Sequence, residues 1–266
     1  ARVRALSGDL AEMTQLLADV VIRPDFPEDE VSRVRAEQLG TISELDHDTR
    51  ATADRLMRGG VYPEPNPLGR RVLGSTERRW TDLFARTGQQ YRPRTMVAYS
   101  GGTQTACGMG QAAMGPFYCP TDQSIYIDPV FFNELSQRFG APGDFAMAYV
   151  IAHEVGHHVQ NLTGVLEQAQ SAQSRLGTTA GNQVQVAVEL QADCYAGVWA
   201  ANDKNLLEPG DVEEGMRAAE AIGDDTLQRR TQGRVVPESF THGTAAQRMA
   251  ALRRGLETGD PGSCQF

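Results

Sequence analysis

The feature that most constrains the fold is one amphipathic helix, which the sequence predicts over residues 144–162. Its apolar residues recur in alternating steps of three and four, and Gly164 is placed to end the helix. The helix contains H-E-V-G-H at residues 153–157, an H-E-x-x-H pattern. Because residues four apart project from the same helical face, His153 and His157 can direct their imidazole nitrogens at one point.

Two histidines at this spacing on a helix are typical of a zinc site, with each nitrogen about 2.0–2.1 Å from the metal. Glu154 lies one step round the helix and can reach a water molecule beside the metal instead of the metal itself. Zinc lowers the pKa of that water toward about 7, and a carboxylate can take its proton as a carbonyl is attacked. The pattern therefore predicts hydrolysis of a peptide bond, with His153 and His157 as ligands and Glu154 as general base.

The histidines are unevenly distributed. The chain has five, and three of them lie within residues 153–158. This clustering argues against a chance match on a buried helix. His158 points about 100° away from His157 around the helix axis, so we expect it to support the site rather than bind metal.

A third ligand must come from elsewhere, because a catalytic zinc has three protein ligands and an open position for water. No H-x-x-G-x-x-H continuation follows His157, which argues against the metzincin pattern. The next predicted helix carries Glu189 and Asp193, four residues apart on one face. The longer side chain favours Glu189 as the ligand, with Asp193 orienting a ligand histidine through its free ring N–H. The exchanged assignment, with Asp193 on the metal, stays open.

The rest of the pattern predicts an α+β fold that is mostly helical and includes a small β-sheet. Further helices are predicted within 6–20, 28–45, 50–58, 80–87, 128–139, 184–201, 211–222 and 244–256. Strands are predicted at 94–99 and in a hairpin that joins 117–119 to 124–127. Breakers predict a loop at 62–74, and a lack of apolar periodicity predicts a mobile connection at 168–181. We expect a domain boundary near residue 78, between a helical segment, 1–78, and a domain, 79–266.

Charge and hydropathy exclude two classes of partner. A formal net charge of -9 disfavours nucleic acid, whose phosphates need many basic contacts. The apolar runs are far shorter than the roughly 20 residues that cross a bilayer, so we expect no transmembrane segment. The chain opens at Ala1 without a leader pattern, so any signal or anchor was removed or never present. Four cysteines without a C-x-x-C pair are equally compatible with two disulfides and with four separate thiols.

Four motifs, in order along the chain, resemble those of the bacterial neutral zinc metallopeptidase family: G-P-F-Y-C-P at 115–120, H-E-V-G-H-H at 153–158, E-L-Q-A-D at 189–193 and S-F-T-H-G-T at 239–244. The resemblance extends from about residue 80 to residue 266. It implies a gluzincin-like catalytic domain whose zinc site is completed by Glu189. It also implies an envelope-facing location, because relatives commonly carry an N-terminal membrane anchor and keep these cysteines. On that basis we expect two disulfides, Cys107–Cys119 and Cys194–Cys264.

The same resemblance favours a role for two residues near the C-terminus, His242 and Arg248. A loop histidine can donate a hydrogen bond to the oxyanion formed during hydrolysis. Arg248 could assist it or could anchor a carboxylate such as Asp193. From the residues alone, His242 is equally well explained as a surface histidine beside a helix N-cap at Thr244.

Residues 1–78 resemble a different family, the pitrilysins, through four short stretches at 26–30, 34–38, 67–70 and 73–75. The inverted H-x-x-E-H motif of that family is absent, and Thr41 stands near where its downstream ligand glutamate would be expected. We therefore expect this segment to be non-catalytic.

The sequence as a whole favours a zinc metalloendopeptidase that acts on a peptide or protein substrate. One alternative is a non-catalytic protein that binds zinc or a partner. Another is a metal-dependent amidase, since deformylases place a cysteine ligand beside the same H-E-x-x-H helix; Cys119 and Cys194 are the candidates here.

Overall fold

The computed structural model describes residues 28–36, 67–137, 143–203 and 207–266. The chain divides into two compact units, Ala1–Tyr62 and Pro63–Phe266. In the first unit residues 28–36 are helical, in agreement with the sequence. The other helices predicted before residue 60 lie outside the described residues. The division of the chain at residue 78 stays a prediction.

The second unit is mostly helical. Its helices are α1 (Pro67–Arg86), α2 (Val130–Gln137), α3 (Asp144–Leu162), α4 (Val165–Gln173), α5 (Thr178–Asn202), α6 (Asp211–Ala221), α7 (Asp224–Gln232) and α8 (Ala245–Thr258). Its strands are β1 (Met96–Ala98), β2 (Gly102–Thr105), β3 (Gly108–Gln111), β4 (Phe117–Cys119) and β5 (Ser124–Ile127). The predicted α+β class is confirmed, and the bounds predicted for α3 are those observed. In the part of the chain described, no helix is both long and apolar enough to cross a membrane.

Helices α3 and α5 form the centre of the core. They pack against each other, α1 covers α3, and α8 covers α5. The buried side chains at these contacts include Trp80 on α1, Tyr149 and Ile151 on α3, Trp199 on α5 and Leu252 on α8. Burial of such large apolar groups, at about 25 cal/mol per Å², is the main force that holds the helices together.

The contact between α5 and α8 is a backbone contact. A Cβ atom added to Gly197 would lie 2.2 Å from the carbonyl oxygen of Leu252, and one added to Gly255 would lie 2.0 Å from that of Cys194. No side chain fits at either position. The two glycines therefore let α8 lie directly against the helix that carries the predicted third ligand.

The larger sheet has the strand order β1-β5-β4. Strand β1 is parallel to β5, and β4 is antiparallel to β5, with Phe117 opposite Tyr126 and Cys119 opposite Ser124. This is the predicted hairpin. A second hairpin, β2-β3, was not predicted, and a disulfide from Cys107 in its turn to Cys119 ties it to the end of β4. Strand β4 is an edge of the described sheet and contacts α3.

The predicted loop at 62–74 is wrong from residue 67 onward, because α1 begins at Pro67. A proline in the first turn of a helix loses no hydrogen bond. Val72 and Trp80, which are 2% and 1% exposed, fix the rest of α1 by packing into the core. Tertiary packing thus outweighs the glycines of this stretch, whose local preference is for a loop.

The predicted mobile connection at 168–181 is also wrong, because α4 and the first turn of α5 occupy most of it. This stretch has no continuous apolar face, and polar contacts join α4 to α5 instead. The Gln173 amide donates to the Gly181 carbonyl and to the Gln185 side chain at 3.3 and 3.0 Å. Helix α7 (Asp224–Gln232) was also not predicted from the sequence.

Candidate metal centre

Three side chains from α3 and α5 converge on one point. Both Nε2 atoms of the H-E-x-x-H histidines face Oε2 of Glu189, at 3.2 Å from His153 and 3.4 Å from His157. One donor atom from each residue lies within 4.8 Å of the other two. Two imidazoles and one carboxylate, with room for a fourth ligand, form the donor set of a catalytic zinc site, so these residues fit that metal.

Gly156, inside the motif, sets the separation of the two helices at this point. A Cβ atom there would lie 3.0 Å from the Ala192 carbonyl oxygen on α5. A larger residue would require α5 to shift by a few tenths of an ångström at this point. The glycine therefore keeps Glu189 within reach of the two histidines.

The ring of His153 is oriented by a buried polar cluster. Its Nδ1 lies 2.7 Å from Asp193 Oδ1, which also accepts a hydrogen bond from the Tyr149 hydroxyl at 2.6 Å. Arg248 donates to both oxygens of Asp193, at 2.8 and 2.9 Å. Asp193 is thus saturated with donors and leaves Nε2 of His153 directed at the site, as a supporting carboxylate does.

The ring of His157 has a neutral partner. Its Nδ1 lies 2.8 Å from Oε1 of Gln160, one turn further along α3. Glu189 is held in a similar way, because the amide of Gln185 donates to its Oε1 at 2.9 Å and leaves Oε2 for the histidines. Neither glutamine was singled out from the sequence. The signal that could have found them is their helical spacing, since Gln160 and Gln185 lie three and four residues from His157 and Glu189.

Glu154 differs from every other polar group of the centre. It is 6% exposed, and its Oε2 atom has no hydrogen-bond partner among the described residues. Burial raises the pKa of this carboxyl group, while His153 and His157 lower it in part. A buried carboxylate beside the ligands with an unused oxygen is available to a bound water or substrate.

The charges of the centre balance one another. Burial alone would lower the pKa of His153, but Asp193 and Glu189 raise it to about 10. Burial raises the pKa of Asp193, yet Arg248 and His153 bring it to about 2. Burial also raises the pKa of Glu189, and the two histidines hold it well below its usual range. A bound cation would take the place of the histidine protons.

His242 lies on the loop before α8, with half of its side chain exposed, and it lines the same cavity as Glu154. Asp224, the first residue of α7, accepts the backbone N–H groups of Thr241, His242 and Gly243 at 2.7, 2.6 and 3.1 Å. Thr244 caps α8 in a reciprocal arrangement with Gln247. His242 therefore sits beside a helix N-cap and also faces the centre. Asp224, which fixes this loop, was not singled out from the sequence.

His158 turns away from the centre, as expected. Its Nε2 lies 2.8 Å from the Arg92 carbonyl oxygen, and its Nδ1 lies 2.9 Å from the Tyr118 hydroxyl. Asn161 donates to the same hydroxyl at 2.9 Å. The histidine thus ties α3 to strand β4 and to the segment before β1.

The centre opens into a cavity of about 820 Å³. One wall is formed by β4 and the residues around it, and another by α4 and the first half of α5. The cavity is lined by Phe117, Tyr118, Phe131, Gln173 and Leu227 in addition to the centre itself. Its volume lies in the range of pockets that bind ligands.

The cysteines form the two expected bonds, Cys107–Cys119 and Cys194–Cys264. The second bond ties the C-terminus to α5, directly after Asp193. Since Cys119 and Cys194 are both in disulfides, neither offers the thiolate that a deformylase-like centre requires.

Comparison with known proteins gives a consistent result. The family model described as "Putative neutral zinc metallopeptidase" matches residues 38–266. The "Uncharacterized protein YpfJ" of Escherichia coli (strain K12) is 49% identical over 195 residues, which are 73% of this chain and 68% of that protein. The "Uncharacterized protein Rv2575" of Mycobacterium tuberculosis is 46% identical over 183 residues, which are 64% of this chain and 60% of that protein. No solved structure matches the chain. Because the family model matches well over half of the sequence, the chain belongs to the neutral zinc metallopeptidase family.

Proposed function

We propose that this protein is a zinc-dependent endopeptidase. The observation that carries the proposal is the convergence of His153 Nε2, His157 Nε2 and Glu189 Oε2 beside Glu154, whose buried Oε2 atom has no hydrogen-bond partner in the described chain. A purely structural zinc site has four protein ligands and no need of a buried free carboxylate. The arrangement therefore favours catalysis over simple metal storage.

His153, His157 and Glu189 would hold the zinc ion, which when bound lowers the pKa of water and polarises a carbonyl group. Asp193 and Gln160 orient the two imidazoles through Nδ1, so that both Nε2 lone pairs face the metal. Glu154 takes a proton from the attacking water and passes it to the leaving amine. Its pKa is raised by burial, which brings the group closer to the range where a general base works best at neutral pH.

His242 is the proposed donor to the oxyanion. Its Nδ1 side faces Thr241 and Asp224, 3.0 Å from the Thr241 hydroxyl and 3.5 Å from Asp224 Oδ1. With the Thr241 hydroxyl donating to Nδ1, the neutral ring carries its proton on Nε2, which can donate into the cavity, where charge develops on the carbonyl oxygen.

The substrate would be an extended segment of peptide or protein. Strand β4 is an edge of the described sheet, and Phe117 and Tyr118 line the cavity. Main-chain hydrogen bonds to an edge strand recognise a peptide without requiring one sequence.

The two disulfides support an extracytoplasmic location, because such bonds persist in oxidising compartments. It also agrees with the envelope location implied by the family resemblance.

The variant E154Q tests the proposed function. It removes the base but no ligand, so the protein should keep its zinc and lose most of its activity on an unstructured protein such as casein. E167Q, the same change at an exposed glutamate on α4, is the control and should behave like the wild type. Loss of zinc together with activity would make Glu154 a ligand. A wild-type protein that binds zinc and cleaves no peptide would support the non-catalytic alternative.

A further inference from the structure

Gln160 is a fully buried polar side chain between α3 and α5, with 0% of its surface exposed. Its amide nitrogen donates to the Val188 carbonyl at 2.7 Å and to Gln191 Oε1 at 3.0 Å. Its oxygen, Oε1, lies 2.8 Å from His157 Nδ1. Every polar atom of the amide thus has a partner.

These partners fix the orientation of the amide. If the group turned over, its oxygen would face two acceptors, and its NH₂ would face the imidazole. The Gln191 oxygen would then lose this donor, and the Gln160 oxygen would lie against two other acceptor oxygens, which is unfavourable. The oxygen of Gln160 is therefore held toward His157, whose Nδ1 must carry the proton. His157 keeps its Nε2 lone pair for the metal.

Gln191 is fixed in turn by the C-terminus. Its amide nitrogen donates to the Cys264 carbonyl oxygen at 2.8 Å, which leaves its Oε1 directed at Gln160. Cys264 is bound to Cys194, on the same helix as Gln191, by the second disulfide. A continuous path of hydrogen bonds thus runs from the carbonyl of a disulfide-bonded cysteine, through two amides, to a proposed metal ligand.

We propose that Gln160 is a positioning residue for His157, and that Gln191 couples Gln160 to the Cys194–Cys264 disulfide. Closing this disulfide then raises the affinity of the centre for zinc. The proposal rests on the proposed function, since it takes His157 to be a metal ligand. Opening the bond with a dithiol transfers two electrons and two protons: the disulfide becomes two thiols, and the dithiol becomes a cyclic disulfide. The Cys264 carbonyl is then held less firmly, and the orientation of both amides is weakened.

A second route from this disulfide to the metal has to be separated from the first. Cys194 directly follows Asp193, so opening the bond could act on His153 instead of His157. The two routes differ in their coupling. If the disulfide acts through Gln191, removing Gln191 and removing the disulfide should not have additive effects.

The first measurement is zinc affinity, by competition with a chromophoric chelator. Q160M keeps the volume of the side chain, and its affinity should fall about 10–100-fold, the usual effect of losing a partner of a ligand histidine. Q191M should lower affinity less, by about 3–10-fold, because Gln160 keeps Val188 as an acceptor. The control, Q183M, changes an exposed glutamine on α5 and should bind zinc as the wild type does.

The second measurement concerns the disulfides. The variant C194A/C264A should lower zinc affinity about as much as Q191M, and adding Q191M to it should lower affinity no further. The variant C107A/C119A lacks the other disulfide, which has no contact with this path, and serves as the matched control. The nitrogen chemical shifts of His157 should show the Nδ1–H tautomer in the wild type and a mixture in Q160M.

The outcomes separate the two proposals. A wild-type protein that does not bind zinc contradicts the proposed function. A wild type that binds zinc, with Q160M and C194A/C264A within twofold of it, contradicts the positioning role and the coupling. Additive losses in C194A/C264A with Q191M would assign the effect to Asp193 and overturn the path through Gln191. If C194A/C264A does not fold, Q191M and Q160M still decide the positioning role, and reduction of C107A/C119A, whose remaining disulfide is Cys194–Cys264, decides the coupling: zinc affinity unchanged on reduction would overturn it.

Discussion

Arg248 and Asp193 form a bidentate ion pair between α8 and α5, with 2.8 Å from Nε to Oδ2 and 2.9 Å from Nη2 to Oδ1. Both side chains are buried, at 3% and 0% exposed. Since Asp193 also contacts His153 Nδ1, helix α8 takes part in the candidate metal centre without supplying one of its proposed ligands. Of the two roles weighed for Arg248 from the sequence, this contact supports the anchoring of a carboxylate.

Replacing Arg248 with methionine should destabilise the fold by about 3–5 kcal/mol, because it leaves the buried charge of Asp193 without its partner. Urea unfolding of the chelator-treated protein at pH 7 measures this loss apart from any effect of metal binding. R253M, at an exposed arginine of the same helix, should stay within about 0.5 kcal/mol of the wild type. Equal stability of the two variants would mean that the ion pair contributes nothing.

Glu189 and Asp193 should differ in their effect on metal content. E189A removes a proposed ligand, so zinc should be lost on dialysis against a weak chelator. D193N keeps an oxygen near His153 Nδ1 and should weaken zinc affinity only about 10–100-fold. Metal analysis of both variants gives the order, and the reverse order would make Asp193 the ligand.

His242 should matter for turnover and not for metal content. H242A is expected to lower kcat/KM by about 10²–10³, the loss seen for one donor to an oxyanion. The zinc content should equal that of the wild type. D224N, which weakens the acceptor that holds the loop, should give a smaller loss of the same kind. Full activity in H242A would return this residue to the role of a surface histidine beside a helix cap.

His158 should make stability depend on pH below neutrality. Burial, with a contribution from Arg94, lowers its pKa to about 4, although the Arg92 carbonyl opposes the shift. In the unfolded chain the pKa is about 6.5, so between pH 6.5 and 4 the unfolded state binds the extra proton. The contribution of His158 is complete above pH 6.5 and falls as the pH drops toward 4. Urea unfolding at several pH values should show a shallower fall in H158Q, and equal slopes would contradict the shift.

Truncation at residue 78 should impair folding, because it removes the first half of α1. That half carries Val72 and Ser75, and the hydroxyl of Ser75 joins Trp199 Nε1 to Asp203 in the core. Truncation at residue 62 keeps the second compact unit whole and should retain folding and zinc binding. Thermal unfolding and metal binding of the two truncated proteins make the comparison. Equal melting temperatures would show that the start of α1 is dispensable.

The sequence predicts the centre of this fold well because the relevant signals are local. His153 and Glu154 belong to a motif on one helix. Glu189 is one of two carboxylates four residues apart on another helix, so all three can be identified without a structure. The side chains that orient them depend on contacts across the fold. Gln160 and Asp224 could not be assigned to His157 and to the loop of His242, because their partners in the other helices and loops are set by tertiary packing. The same reason explains α1, where buried contacts override local breakers.

The backbone contact of α5 with α8 has a consequence for engineering. Grafting the histidine helix and its carboxylate helix onto another scaffold would not reproduce this centre, because Arg248 reaches Asp193 only where a third helix can come this close. Gly197 and Gly255 are what permit that approach. The smallest portable unit is therefore three helices with two glycines at their crossing. A search for remote homologues should score those glycines together with the histidine pair.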